Sequence, residues 1–375
     1  MHHTRFKFFV LLHVLLFSLF IPPNVAQWTT TSLSLARDEL AATSVSGLAL
    51  FAGGYNHSGI GISAVDVYNA STTTWTTASL SQTRAKLAAT LVSNLAIFAG
   101  GTFNNSFVSL AVVDIYNGSS NSWTTASLSE GRMRSQARYA LAATSVGSLA
   151  FFGGGDRGGA VLSVVVDIYN ASDNSWTTAS LSQGRRYLAA TSVGSLALFA
   201  GGDYGGVYSS VVDIYNASAN SWTTASLSEG RMRLAATSIG NLALFAGGYS
   251  GDAGLYSSVV DIYNASSNTW TTSALSQARY GVQATSVGDL ALFAGGFCGA
   301  YSSMVDIYNA SSNTWTTSAL SQSRLGVQAT SVGNLALFAG GFSGAYSPVV
   351  ECVVQQMDYI VSLPGTRVPG NNVSR

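Results

Sequence analysis

Tryptophan returns at positions 28, 75, 123, 176, 222, 270 and 315, each time opening a segment of the form Trp-Thr-Thr-x-x-Leu-Ser. Units of roughly 50 residues cannot bury a core alone and must stack against their neighbours. An arginine follows nine residues after every tryptophan, at 37, 84, 132, 185, 231, 279 and 324. A Gly-Gly pair then begins 16 residues after six of those arginines, at Gly53, Gly100, Gly201, Gly247, Gly295 and Gly340. In the third unit the distance from Arg132 to Gly154 is 22, which reads as an insertion of Ser135 to Ala140. An acid closes each unit: Asp66, Asp114, Asp167, Asp213, Asp261, Asp306 and Glu351. Between Gly-Gly and the acid the length varies from 11 to 14 residues, while the rest of the framework is nearly fixed.

Each unit reads as four short strands. In the fifth they are Leu234 to Ile239 (A), Leu242 to Ala246 (B), Val259 to Tyr263 (C) and the segment from Trp270 (D). Runs of apolar, β-branched and aromatic residues are bounded by Gly, Asn and Ser turns, and no long helical periodicity intervenes. Four-stranded repeats of this length predict an all-β, seven-bladed β-propeller of antiparallel blades. Strand A, rich in Ala, Thr and Ser, suits the crowded channel. The chain opens with an unpartnered strand D at Trp28, and its last unit lacks one. Residues 27–32 are therefore expected to complete the last blade and remove the free sheet edge. A strand from Met357 to Leu363 is the alternative.

Gly-Gly after strand B, Asp-Ile-Tyr-Asn on strand C and a Trp seven residues beyond the Tyr resemble the kelch motif. The pairs are Tyr68/Trp75, Tyr116/Trp123, Tyr169/Trp176, Tyr215/Trp222, Tyr263/Trp270 and Tyr308/Trp315. The last unit departs from it, with Glu351 for Asp and Val353 for Tyr. The resemblance implies a propeller that works as a binding module.

An antiparallel meander puts the B–C and D–A connections on one face, and all the length variation falls there. Loops on a rigid scaffold are where binding usually resides. The basic residues gather on the same face. Arg37, Arg84, Arg132, Arg185, Arg231, Arg279 and Arg324 precede the innermost strands and are expected to ring the channel mouth, in a role that is structural first. Each has an acid in its blade, and a buried Asp needs a partner. The repeat does not require Arg134, Arg138, Arg157, Arg186 and Arg233, which makes them the ligand candidates. Arginine forks suit carboxylate and sulfate, so an anionic glycan or a protein is the expected partner.

Asn-x-Ser sequons stand at Asn56, Asn69, Asn104, Asn117, Asn170, Asn216, Asn264, Asn309 and Asn372, six of them in C–D turns. They are glycosylation candidates in a secreted chain, and Asn is also a turn former. Residues 1–26 read as a signal peptide: Arg5 and Lys7, an apolar run from Phe8 to Ile21, then Pro22, Pro23 and Ala26. The run is short for a span of roughly 20 residues, so no membrane insertion is expected after cleavage. The domain reading is signal peptide 1–26, propeller 27–363 and polar tail 364–375.

Only 9% of the residues are charged, with 17 basic against 17 acidic, which argues against a nucleic-acid binder. Of four histidines, His2, His3 and His13 lie in the leader and His57 remains. A histidine metal cluster and a histidine-based triad are excluded, and no cofactor is expected. The Gly-Gly pairs lack the Gly-Lys-Ser/Thr of a phosphate loop. Cys298 and Cys352 permit a bridge between neighbouring blades. The expectation is a secreted, non-enzymatic, protein- or glycan-binding module. A sialidase-like glycoside hydrolase at the channel mouth and a structural matrix or coat component are the alternatives. Produced in a eukaryotic secretory host, the chain is expected in the medium with Gln27 as its first residue. N-terminal sequencing checks this, and a secreted product that retains Met1 would contradict it.

Overall fold

The computed structural model of the protein describes residues 27–103, 108–129, 138–251 and 255–354. Seven four-stranded antiparallel sheets form a ring, and no helix occurs among the described residues. Blade 1 comprises Ala41–Val45, Leu48–Ala52, Ile62–Asn69 and Thr74–Arg84, in the order A to D. Each strand A packs beside those of the adjacent blades, and that of blade 7, Gln328–Val332, returns to that of blade 1. Short strand pairs such as Asp203–Tyr204 with Val207–Tyr208 decorate the B–C loops.

Burial explains the composition of each strand. Strand A alternates buried and half-buried small residues, because neighbouring strands converge on the channel. Strand B, Leu-Ala-Leu-Phe-Ala in five of the seven blades, is buried on both faces between adjacent blades. Strand D shows its Thr and Ser to solvent and turns its Trp inward against the Tyr of strand C, 5.1 Å between Tyr116 and Trp123. The hydrophobic clusters lie between blades. Leu50, Val65 and Leu80 of blade 1, for instance, pack with Phe98 and Tyr116 of blade 2. Each fully buried Phe or Leu contributes about 1.5–3 kcal/mol.

The ring closes as the sequence implies. Gln27–Ser32 pairs antiparallel with Val349–Val354, Trp28 opposite Val353 and Thr30 opposite Glu351. Trp28 then packs on the cluster between blades 6 and 7. The alternative strand, 357–363, lies outside the described residues; the position it would take is filled by the N-terminus. Both cysteines are free, and burial pushes the Cys352 thiol up to about 11.

A buried ion pair joins each blade to the next. Arg185 leaves strand D of blade 3 and enters blade 4, where its guanidinium is fully buried. One nitrogen donates to the carbonyls of Gly201 and Val211, and the other to the Asp213 carboxylate. The second carboxylate oxygen of Asp213 accepts the backbone N–H of Ser182, at the exit of blade 3, at 2.8 Å. Meanwhile the Gly155 N–H of blade 3 donates to the Arg185 carbonyl at 2.7 Å. A Cβ on Gly154 would stand 2.5 Å from that carbonyl oxygen, and its φ is +70°, so the seam demands glycine. The last blade uses Glu351 in place of Asp, bonded to Arg324 and to Ser321.

In blade 3 the structure corrects the sequence reading. Arg138, expected as a free ligand residue, is fully buried and bonds Asp167 and the Gly154 and Val165 carbonyls. Arg132, expected in that role, lies outside the described residues, as does Arg134. Arg138 stands 16 residues before Gly154, the spacing of the other blades, so the insertion precedes the arginine. Breaking a buried ion pair from one side costs about 3–5 kcal/mol, because the other charge is left alone. R185M and R138M are therefore expected to destabilise equally, and R185M/D213L to recover most of the loss. Urea denaturation measures all three.

Candidate functional site

The two ends of the channel differ sharply. At the end bearing the A–B and C–D turns, a cavity of about 280 Å³ is ringed by Ser44, Leu91, Ser145, Ser192, Ser238, Ser286 and Ser331. Here the repeats are nearly identical. The C–D turns beside it are Asx turns: the Asn69 side-chain oxygen accepts the Ser71 N–H at 2.9 Å, and Asn117, Asn170, Asn216, Asn264 and Asn309 do the same two residues on. Each turn uses the amide oxygen and leaves the nitrogen, the atom a glycan would occupy, to solvent. Asn56 holds its own B–C loop, accepting the Ser58 and Ile60 N–H groups. Asn104 and Asn372 lie outside the described residues.

The other end, on the B–C and D–A face, is where the repeats diverge. Two residues after each buried arginine the chain adopts a left-handed conformation, at Glu39, Lys86, Ala140, Tyr187 and Arg233 with φ from 49° to 55° and at Gly281 and Gly326 with φ of 65° and 71°. These residues form a ring around the mouth. Their peptides bond in series from blade to blade: the Lys86 N–H to the Glu39 carbonyl at 2.9 Å, and so through Ala140, Tyr187 and Arg233 to Gly281. Left-handed geometry costs a residue with a Cβ roughly 1 kcal/mol, and glycine almost nothing. Four blades nonetheless hold a long side chain there.

Those side chains and their neighbours line a cavity of about 310 Å³, with Leu and Ala from strand A as its floor. Arg233 lies over the Tyr187 ring at 4.4 Å and stands 4.0 Å from the Glu39 carboxylate. Lys86 sits 5.7 Å from the Tyr55 ring and 5.8 Å from that of Tyr139. Asp38 turns toward the same mouth with one carboxylate oxygen buried and unpartnered. Burial first, and then the nearby Glu39 charge, push its carboxyl up to about 7, with Lys86 opposing. In blades 6 and 7 the first residue of strand A is Gln283 and Gln328, where the other five blades have Ala. No hydrogen bond within the described residues engages either amide.

The arginines singled out from the sequence fall into different settings. The buried ring of seven, with Arg138 in the third seat, lies inside the sheets and not on the mouth as expected. Arg186 is half-buried and clamped between Asp156 at 2.6 Å and Asp203 at 2.8 Å, so its charge is matched within the protein. Arg157 is half-buried in its B–C loop with an unpartnered Nε. Arg233 does reach the mouth. Asp38, Glu39, Lys86, Tyr187, Gln283 and Gln328 were not singled out, although aligning the seven copies shows each at a position where the repeat varies.

Outside the mouth, aromatic side chains run in contact along blades 4 to 7 on this face. The series includes Tyr208, Tyr249, Tyr280, Phe297, Tyr301, Phe342 and Tyr346, and exposed His57 meets the Tyr346 ring edge-on at 6.3 Å. Among the described residues no group of three or more His, Cys, Asp or Glu side chains is placed to hold a metal.

Scanned against protein-family models the chain matches none, and a search of curated proteins finds no match.

Because the folded state favours the protonated Asp38 carboxyl, this group stabilises the fold fully below its ordinary value near 3.8. The contribution is lost as the pH rises toward about 7. D38N, a neutral isostere, is expected to match the native chain at pH 4 and to exceed it at pH 8 by about 1–2 kcal/mol. Urea denaturation at the two pH values checks this; equal differences at both would show that Asp38 does not titrate in the fold.

Proposed function

We propose that the chain is a secreted, N-glycosylated, kelch-type propeller that binds a glycan or protein at the channel mouth on its B–C and D–A face. One observation carries the reading. Seven nearly identical units differ from one another mainly at that mouth and the loops around it, while the serine-ringed end of the same channel stays almost constant. Duplicated scaffolds that drifted freely would vary at both ends. At the mouth the left-handed positions of four blades carry the long side chains of Glu39, Lys86, Tyr187 and Arg233, whereas those of the opposite end carry only Gly, Asn, Ser or Thr.

The kelch likeness is supported by what each motif residue does. The glycines make the inter-blade seam, and the Tyr and Trp stack within the blade. Binding is favoured over catalysis because the mouth mixes matched charges, amides and an aromatic ring, a recognition set. The leader, together with sequons whose amide nitrogens face solvent, supports secretion and glycosylation. Glycans on the C–D turns would leave the mouth face open.

The test compares the native mature chain with Y187G/R233G and with S192A/S238A at the opposite end, on glycan and peptide arrays at low and physiological salt. Product release from the glycans is monitored in parallel. Y187G/R233G relieves two strained residues and is expected to melt no lower than the native chain while losing at least tenfold in binding. S192A/S238A is expected to bind normally. Loss of binding at the serine end alone would overturn the assignment of the face, and cleavage of a bound glycan would replace binding with hydrolysis.

A further inference from the structure

Within the mouth, blades 6 and 7 differ from the other five in two linked ways. Their ring position is glycine, at Gly281 and Gly326, and the Leu325 side chain fills the space over the first but nothing fills it over the second. Two residues further in, Gln283 and Gln328 put carboxamides where the other blades have a methyl group. A Cβ on Gly326 would meet nothing closer than 3.9 Å, the Cβ of Asp38, so the opening above Gln328 is real space. Asp38 stands at its edge with its buried, unpartnered carboxylate oxygen. The arc of blades 6 and 7 is thus lined by hydrogen-bonding groups without protein partners and is open above Gly326, while the Leu325 side chain covers Gly281 and the Arg233–Glu39 pair flanks the arc from blades 5 and 1.

These groups define the ligand chemistry. Each carboxamide both donates and accepts, and Asp38 adds an acceptor or, when protonated near neutral pH, a donor. The mouth carries both signs, Asp38 and Glu39 with Lys86 and Arg233, so a strongly anionic ligand would meet two carboxyl groups beside the two cations. A peptide anchored by an apolar side chain would leave the amides and the carboxylate unsatisfied at about 1–3 kcal/mol each. A ligand dense in hydroxyls, each both donor and acceptor, satisfies them all. A cavity of about 310 Å³ lies at the small end of ligand pockets and suits the tip of a longer molecule.

We propose that the channel mouth holds the uncharged terminal residue of an oligosaccharide, whose hydroxyls are bonded by Gln283, Gln328 and Asp38. This rests on the reading of the mouth as the binding face. The glycan continues outward over the tyrosines of blades 5 to 7, whose half-exposed rings offer faces to stack on and hydroxyls to bond.

The experiment is calorimetric titration of the mature chain with neutral oligosaccharides ending in glucose, galactose, mannose or N-acetylglucosamine, and with sialylated and sulfated counterparts. Each is run at 50 and at about 500 mM salt, where the screening length falls from beyond 10 Å toward 3 Å. Q283A/Q328A installs the alanines the other blades already carry, so it is expected to fold normally. At least one neutral glycan is expected to bind with an affinity that salt leaves unchanged, and Q283A/Q328A and D38A are each expected to weaken it at least tenfold. Binding confined to sialylated or sulfated glycans and lost at high salt overturns the proposal. So does neutral binding that Q283A/Q328A leaves intact, or no binding by any neutral glycan. If Y187G/R233G abolishes binding of a peptide or an anionic glycan while Q283A/Q328A does not, the mouth stands as the binding face and only the ligand class fails.

Discussion

A guanidinium with no access to water fastens each blade to the one before it. The arginine sits on the connection between two sheets, its side chain bonded into the second and its carbonyl bonded to the glycine turn of the first. The facing carboxylate takes the arginine with one oxygen and the exit of the previous blade with the other. Position, charge and backbone direction are set at one point. The spacing that recurs through the chain follows from it: arginine to glycine is fixed because the guanidinium must reach that carbonyl, and the glycine cannot carry a Cβ because the next arginine's carbonyl lies against it. Burial disfavours each charged guanidinium, holding Arg84 and Arg324 down to about 10, and the Asp114 carboxylate beside Arg84 works in the other direction. The joint lends the ring specificity of alignment; the apolar clusters between blades supply most of the driving force.

Much of this architecture could be read before any coordinates. Blade number, strand order, the N-terminal clasp and the two-faced sorting of loops follow from the repeat and from the rules of an antiparallel meander. Blade 3 shows where such reading fails. The third arginine was assigned by its distance from the tryptophan upstream, but the bonds that hold an arginine here lie downstream, at Gly154, Val165 and Asp167. Arg138 keeps the downstream spacing and Arg132 does not. Weighing the physical contact above the more regular count would have found the right residue.

The mouth was harder to read for a related reason. Attention to charge favoured arginines, yet the burial that makes arginine useful as a fastener hides it. The residues that reach the cavity are those the repeat leaves free, and Glu39, Lys86, Tyr187 and Arg233 among them share a backbone conformation that sequence shows only indirectly, through glycine at 281 and 326. The peptides of that ring are linked in series, so its side chains are presented from a rigid collar. A collar of this kind lets seven copies of one unit present different side chains around a single cavity.

The clasp has a consequence for how the chain is made. Trp28 and Val353, partners across the last sheet, are 325 positions apart in the sequence. Vectorial synthesis releases the first of these strands long before the second exists, and loop closure over such a distance is slow. Throughout that interval the earliest segment is an unpaired edge rich in threonine, and the first and the most recently formed blades each lack a neighbour. Completion of the circle therefore reports that the whole chain has arrived. A product truncated before Val349 keeps an open strand edge, the kind of surface by which quality control distinguishes an unfinished protein from a finished one.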